Sequence, residues 1–169
     1  MIKLLFPVAL IAMPSAVLAA NEVATATLMD ANGKKVGNAI ARDVGHGIEV
    51  KVKVKRLPPG ERAWHLHTVG KCEDAKFTSA GPHWNPAGKM HGKDNPMGPH
   101  AGDLPNLVIG AKGKASASFT VHGAKLSGEG GLLDADGGAV VIHAAPDDYK
   151  TDPTGAAGDR IACGVFKVR

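Results

Sequence analysis

The chain has 169 residues, of which 44% are hydrophobic, 21% charged and only 4% aromatic, with a formal net charge of +4. One domain is the default for that length, which is enough to bury a real core. No Lys/Arg run is long enough to offer a nucleic-acid surface, whereas a small anion suits the mild positive balance.

The N-terminus reads as a secretory signal. Lys3 gives the positive start, residues 4–13 the apolar stretch, and Val17-Leu18-Ala19-Ala20 a small-residue cleavage site. Cleavage after Ala19 or after Ala20 fits equally, so residues 1–19 are assigned to the signal and 20–169 to one domain. The apolar run is too short for a membrane span and nothing later is longer. No cysteine adjoins the cleavage site, which removes a lipoprotein signature. The expectation is a soluble exported protein in a bacterial periplasm, free of the membrane once the signal is removed. Loss of Lys3 lowers the formal charge from +4 to +3.

The mature chain reads as strands separated by glycine-bearing turns. Residues 22–29 form a first candidate strand, and Asp30-Ala31-Asn32-Gly33 a hairpin signal into a second at 35–42. The clearest strand is 48–55, where Ile48, Val50, Val52 and Val54 alternate with Glu49, Lys51, Lys53 and Lys55. Leu57-Pro58-Pro59-Gly60 turns the chain into a strand carrying Trp64 to His67, and later strands are read at 107–109, 114–121, 139–143 and 161–168. No amphipathic helix of useful length and no repeat is found. The fold expected is all-β, an antiparallel Greek-key sandwich or barrel of about eight strands.

Two stretches, 70–105 and 144–159, are too long to be turns, and loops of that length in a small domain are functional or disordered. They hold histidines and a cysteine, so tethering by metal and disulfide is the economical explanation. The cysteines, Cys72 and Cys163, favour a single bridge in an oxidising compartment, with a reactive thiol pair as the competing reading. A bridge closing so long a loop stabilises by about 4–5 kcal/mol on the chain-entropy account.

Six of the eight histidines sit in contexts suited to metal. His65 and His67 form His-Leu-His, and residues two apart on a strand share a face. His83, His91, His100 and Asp103 have the spacing of a loop wrapped around an ion, and His143 ends a Val-Val-Ile run. A carboxylate among imidazoles suits zinc, while an all-imidazole set with an open face suits copper. Six histidines and one aspartate fall one ligand short of two four-coordinate sites, and sharing one histidine between two ions closes that count. His46 and His122 lie outside these contexts and read as surface or turn histidines. Trp64 and Trp84 read as packing residues, and Tyr149 has no role derivable from the sequence.

On these residues the chain resembles the bacterial copper,zinc superoxide dismutases over nearly all its mature length. The resemblance is carried by Ala-Trp-His-Leu-His-Thr-Val-Gly-Lys-Cys (63–72), Gly-Pro-His-Trp-Asn-Pro (81–86), His-Ala-Gly-Asp-Leu-Pro-Asn-Leu (100–107), Val-Ile-His-Ala-Ala-Pro-Asp-Asp-Tyr (141–149) and Gly-Asp-Arg-Ile-Ala-Cys-Gly-Val (158–165). It implies one copper on His65, His67, His83 and His143. It also implies one zinc on His83, His91, His100 and Asp103, with His83 bridging the two ions. Cys72 and Cys163 match the family's disulfide, Arg160 the arginine that attracts the anionic substrate, and Asp147 the aspartate linking histidines of the two sites. Such outer partners fix ring orientation.

The implied reaction is dismutation of superoxide to oxygen and hydrogen peroxide by copper alternating between Cu(II) and Cu(I). Zinc is structural, and His83 and Arg160 are the residues placed at the chemistry. Two departures stand out. Glu61-Arg62-Ala63-Trp64 replaces a glycine and a further histidine found in many members, and Lys150 is the only lysine of the second long loop. The alternative is a non-enzymatic periplasmic copper/zinc-binding protein on the same fold, and a plain interaction sandwich ranks below it. Monomer and homodimer are both compatible with the resemblance.

Overall fold

Alternation of apolar and charged residues decides which face a strand buries, and Gly47–Val54 shows it most plainly. Ile48, Val50 and Val52 are fully buried, while Lys51 and Lys53 face solvent. The computed structural model describes residues 22–169, so the signal-peptide reading lies outside the described residues. Ten strands form there: β1 (Val23–Asp30), β2 (Lys35–Asp43), β3 (Gly47–Val54), β4 (Gly60–Arg62), β5 (Trp64–His67), β6 (Leu107–Ile109), β7 (Ala115–His122), β8 (Ala139–His143), β9 (Arg160–Val165) and β10 (Lys167–Val168).

The main sheet runs β5-β8-β9-β1-β2-β3-β7, antiparallel at every pairing. The β1–β2 hairpin closes where Asp30 Oδ1 accepts the N–H groups of Asn32 and Lys34, with Gly33 at positive φ, as the turn signal predicts. The sequence leaves the sheet after β3 and re-enters beside strands that are not its neighbours in the chain: β7 on β3, and β8 on β5. This is the expected Greek key. Ala24, Leu28, Ala39, Ala41, Val50, Val52, Leu66 and Ile142 fill the interior, each burying its whole side chain. Burial of a Val, Leu or Ile side chain is worth about 1.5–3 kcal/mol.

Two short strands go beyond the eight expected. β4 lies where the sequence reads as a turn, and it exists as the partner of β6, with Gly60 opposite Ile109 and Arg62 opposite Leu107. The expected final strand, 161–168, divides at the buried Phe166, whose N–H turns to the Gly138 carbonyl at 3.0 Å. The described residues contain one 3₁₀ turn, Thr78–Ala80, in the first long loop.

The Cys72–Cys163 disulfide joins that loop to β9 across 91 residues of sequence. Among the described residues no helix is long and apolar enough to cross a membrane.

Candidate metal centre

His65 and His67 stand on β5, whose opposite face buries Trp64 and Leu66 in the core. Strand periodicity therefore sends both imidazoles to one side. Alongside, β8 sets Val141 opposite His65 and Ala139 opposite His67, and ends with His143 on the same face. An extra residue in β9, Ile161, shifts the register so that His143 pairs with Arg160. Such a bulge re-aims the side chains around it.

The other edge of β5 is covered by the first long loop. Leu66 N–H donates to the Gly102 carbonyl at 3.0 Å, Trp84 N–H to Leu66 at 2.8 Å, and Gly102 N–H to Trp84 at 2.8 Å. Single bridges then set His65 opposite Asp103 and His67 opposite His83. Gly102 is required at this approach, because a Cβ there would lie 2.3 Å from the Leu66 carbonyl oxygen. Hydrogen bonding along one short strand thus delivers His83 and Asp103 to the His65/His67 face.

Two ligand groups result. One nitrogen from each of His65, His67, His83 and His143 lies within 4.8 Å of the others, and His83, His91, His100 and Asp103 form a second set to the same limit. All six histidines are buried.

In the first set each ring bonds the protein through one nitrogen only. His65 Nε2 meets Asp147 Oδ2 at 2.8 Å, His67 Nδ1 the Gly81 carbonyl at 2.8 Å, His83 Nδ1 Asp103 Oδ1 at 2.9 Å, and His143 Nδ1 the Gly158 carbonyl at 3.3 Å. Those oxygens only accept, so the bonded nitrogen carries the proton and the other presents a bare lone pair. The four remaining atoms, His65 Nδ1, His67 Nε2, His83 Nε2 and His143 Nε2, are buried with no partner. Buried polar atoms are rarely left so, and four converging lone pairs fit a cation that prefers imidazole.

The second set gathers on one oxygen. Asp103 Oδ1 is 2.9 Å from His83 Nδ1, 3.0 Å from His91 Nδ1 and 3.2 Å from His100 Nδ1. Asp103 Oδ2 accepts the N–H groups of Gly92 and His100 at 2.8 and 2.9 Å, which fixes the carboxylate. His91 Nδ1 lies off the line of a hydrogen bond despite that separation. Three imidazoles and one carboxylate make a donor set of zinc type. His83 belongs to both groups, through different nitrogens.

Asp147 spans the groups, with Oδ2 on His65 and Oδ1 2.9 Å from His91 Nε2. Two residues to which the sequence assigns no role, Asn106 and Tyr149, hold it there. Asn106 Oδ1 accepts the Asp147 N–H at 2.8 Å and its amide donates to the Asp147 carbonyl at 3.0 Å. Tyr149 donates its N–H to Asp147 Oδ1 and accepts the Asn106 N–H on its hydroxyl at 2.8 Å, while the Lys93 ammonium sits 4.3 Å above its ring. Asn106 falls in the 100–107 motif, which was its only signal.

Arg160, half-buried, donates to the carbonyls of Phe77 at 2.6 Å and Gly81 at 2.8 Å. The Gly81 carbonyl is therefore shared between Arg160 and His67. His46 and His122 lie apart from the centre and are exposed, as the sequence suggests. Trp64 and Trp84 are buried in the core, the Trp64 indole donating to the Pro105 carbonyl at 2.6 Å.

The electrostatics of the two sets differ. Burial pulls His65 and His67 below the ordinary imidazole range, His83 to about 4 and His143 to about 3, leaving these rings neutral at pH 7. His91 goes the other way, to about 9: burial opposes its charge, but the negative charges of Asp103 and Asp147 and the hydrogen bond to Asp147 outweigh it. Burial alone would raise both carboxyls. The histidines around Asp103, and His65, His91 and the Tyr149 N–H around Asp147, hold them far below the usual range instead.

With this geometry in place, relatives are informative. The family model for copper/zinc superoxide dismutase matches residues 25–166. Superoxide dismutase [Cu-Zn] 2 of Aquifex aeolicus is 45% identical over 147 residues, covering 85% of this chain and 86% of the relative. Superoxide dismutase [Cu-Zn] of Caulobacter vibrioides is 44% identical over 148 residues, covering 85% of each. The crystal structure of a SOD-like protein from Bacillus subtilis superposes with a TM-score of 0.79 at 38% identity, over 83% of this chain and 96% of that one. Fold, sequence and the two histidine groups agree: the chain belongs to the copper/zinc superoxide dismutase family.

Proposed function

We propose that the chain is an exported superoxide dismutase in which His65, His67, His83 and His143 hold copper, and His83, His91, His100 and Asp103 hold zinc. The observation that carries this reading is the set of four buried, partnerless imidazole nitrogens beside a zinc-type set sharing His83. When bound, copper supplies the one-electron chemistry by alternating Cu(II) and Cu(I) as two superoxide radicals and two protons become oxygen and hydrogen peroxide, while zinc is redox-inert and structural.

The protein's own groups do the rest. Asp147 orients His65 and His91 together, and Asp103 and the Gly81 and Gly158 carbonyls orient the other rings. Arg160 attracts the anion, its guanidinium anchored by two carbonyls beside the His67 ring's own anchor. One of the two protons would reach the peroxide product through His83, the imidazole common to both ligand sets. A bare metal carrier needs no such arginine, so this placement favours the enzyme over a metal-binding protein.

Export to the periplasm follows from Lys3, the apolar residues 4–13 and the small-residue site at 17–20, and the Cys72–Cys163 bridge suits an oxidising compartment. N-terminal sequencing of periplasmic protein should begin at Ala20 or Asn21. Met1 as the first residue would overturn export.

The ligand assignment is tested by metal analysis alongside a superoxide-consumption assay. The intact protein should carry one copper and one zinc per chain and consume superoxide. His143→Ala should lose copper and activity while keeping zinc, and His100→Ala should chiefly lose zinc. Full copper in His143→Ala, or copper-loaded protein without dismutation, would overturn the reading.

A further inference from the structure

The family's chemistry leaves His46 and His122 unused. They are nevertheless neighbours: their ring centroids lie 5.4 Å apart with planes inclined by 25°. Both residues are exposed. They meet at the end of the β3–β7 pair, where Gly47 stands opposite His122 and the Gly123 N–H donates to the His46 carbonyl at 2.9 Å. His46 stands one residue outside β3, so the turn that enters the strand at Gly47, and not strand pairing, brings its ring against that of His122.

The backbone on the His46 side is held rather than loose. Asp43 Oδ1 accepts the Gly45 N–H at 2.7 Å, and the Val44 N–H donates to Gly47 at 3.0 Å. Gly47 permits the close strand approach, since a Cβ there would lie 2.2 Å from the Val121 carbonyl oxygen. The two imidazoles are thus presented side by side from a fixed turn and a paired strand end. A chelating pair on rigid elements loses little freedom on binding.

We propose that His46 and His122 form a third, surface metal site, a two-imidazole chelate for a borderline divalent transition ion with water filling its remaining positions. Imidazole suits nickel, copper and zinc of this class, and not calcium or magnesium. The site differs in kind from the buried centre. It is open, uses two ligands and has no carboxylate or bridge, so its ion exchanges with solvent while the buried pair is retained. It needs neither Arg160 nor Asp147.

The test uses the disulfide-bonded protein already loaded with copper and zinc, titrated calorimetrically with nickel(II) sulfate. One saturable nickel ion per chain is expected. His46→Ala and His122→Ala should each weaken it at least tenfold, with bound copper, bound zinc and dismutation unchanged. Magnesium sulfate should give no saturable heat. Absence of saturable nickel binding to the intact protein, or equal affinity in both variants, would overturn the proposal.

Discussion

His83 Nδ1 lies 2.9 Å from Asp103 Oδ1, while His83 Nε2, buried on the ring's other side, has no protein partner. One imidazole therefore faces two ligand sets with two distinct atoms. Coupling of the two ligand sets depends on that orientation, and the surrounding hydrogen bonds fix it.

Asp147 is the first place to break the coupling. Its carboxylate orients one histidine of each set, His65 and His91. Asp147→Ala should lower zinc affinity by about 10–100-fold, the usual cost of losing such a partner. Competition against a zinc-binding dye measures this, and unchanged zinc affinity would count against the assigned link.

Position 155 should tolerate nothing but glycine. Gly155 has φ +65°, and a Cβ there would lie 2.0 Å from Asp147 Oδ1 and 2.5 Å from His91 Nε2. Gly155→Ala is expected to cost about 1–3 kcal/mol in backbone strain alone and to lose zinc as well. Gly33→Ala, at φ +73° with open space around it, separates the effects: strain without loss of zinc. Thermal unfolding and zinc content read both variants.

Proton release should distinguish the sets. His91, raised to about 9, is protonated at pH 7 in the metal-free protein, whereas His83 at about 4 and His143 at about 3 are neutral, as are His65 and His67. A ligand must shed its proton before it binds metal. Zinc added first at pH 7 should therefore release about one proton from His91. Its affinity should climb as pH rises towards about 9, because fewer protons then compete. Copper added first should release almost none over pH 6–8. Titration calorimetry in buffers of different ionisation enthalpy gives both numbers, and equal release would contradict the assignment.

Arg160 should govern substrate capture more than metal retention. Arg160→Leu is expected to lower kcat/KM roughly tenfold at low salt and to flatten its salt dependence, within the range by which steering changes rates. Copper and zinc should stay bound, and Arg160→Lys should recover part of the rate. Because Gly81 anchors both Arg160 and His67, the copper spectrum should also shift in Arg160→Leu. Full activity at low salt would remove the residue from the mechanism.

Much of this centre is legible in the sequence, for local reasons. His-Leu-His on a strand fixes a shared face, the alternation from Ile48 to Val54 fixes a buried one, and the ligand count closes if one histidine is shared. What escapes is set by distant pairings. β4 has no pattern of its own and forms only against β6. Tyr149 gains its role from Asn106, 43 residues away, and the Gly81 carbonyl from an arginine 79 residues on. No local spacing records such contacts. The loop residues that cover β5 are similarly invisible, since backbone hydrogen bonds place them and side-chain chemistry does not.

The bridge itself gives the most direct test. A crystal structure of the protein loaded with copper and zinc, with anomalous scattering collected at both metal edges, should place zinc about 2.0–2.1 Å from His83 Nδ1. Copper should lie on Nε2 of the same ring. Copper and zinc bound without His83 between them, or only one of the two sets occupied at full metal loading, would contradict the account.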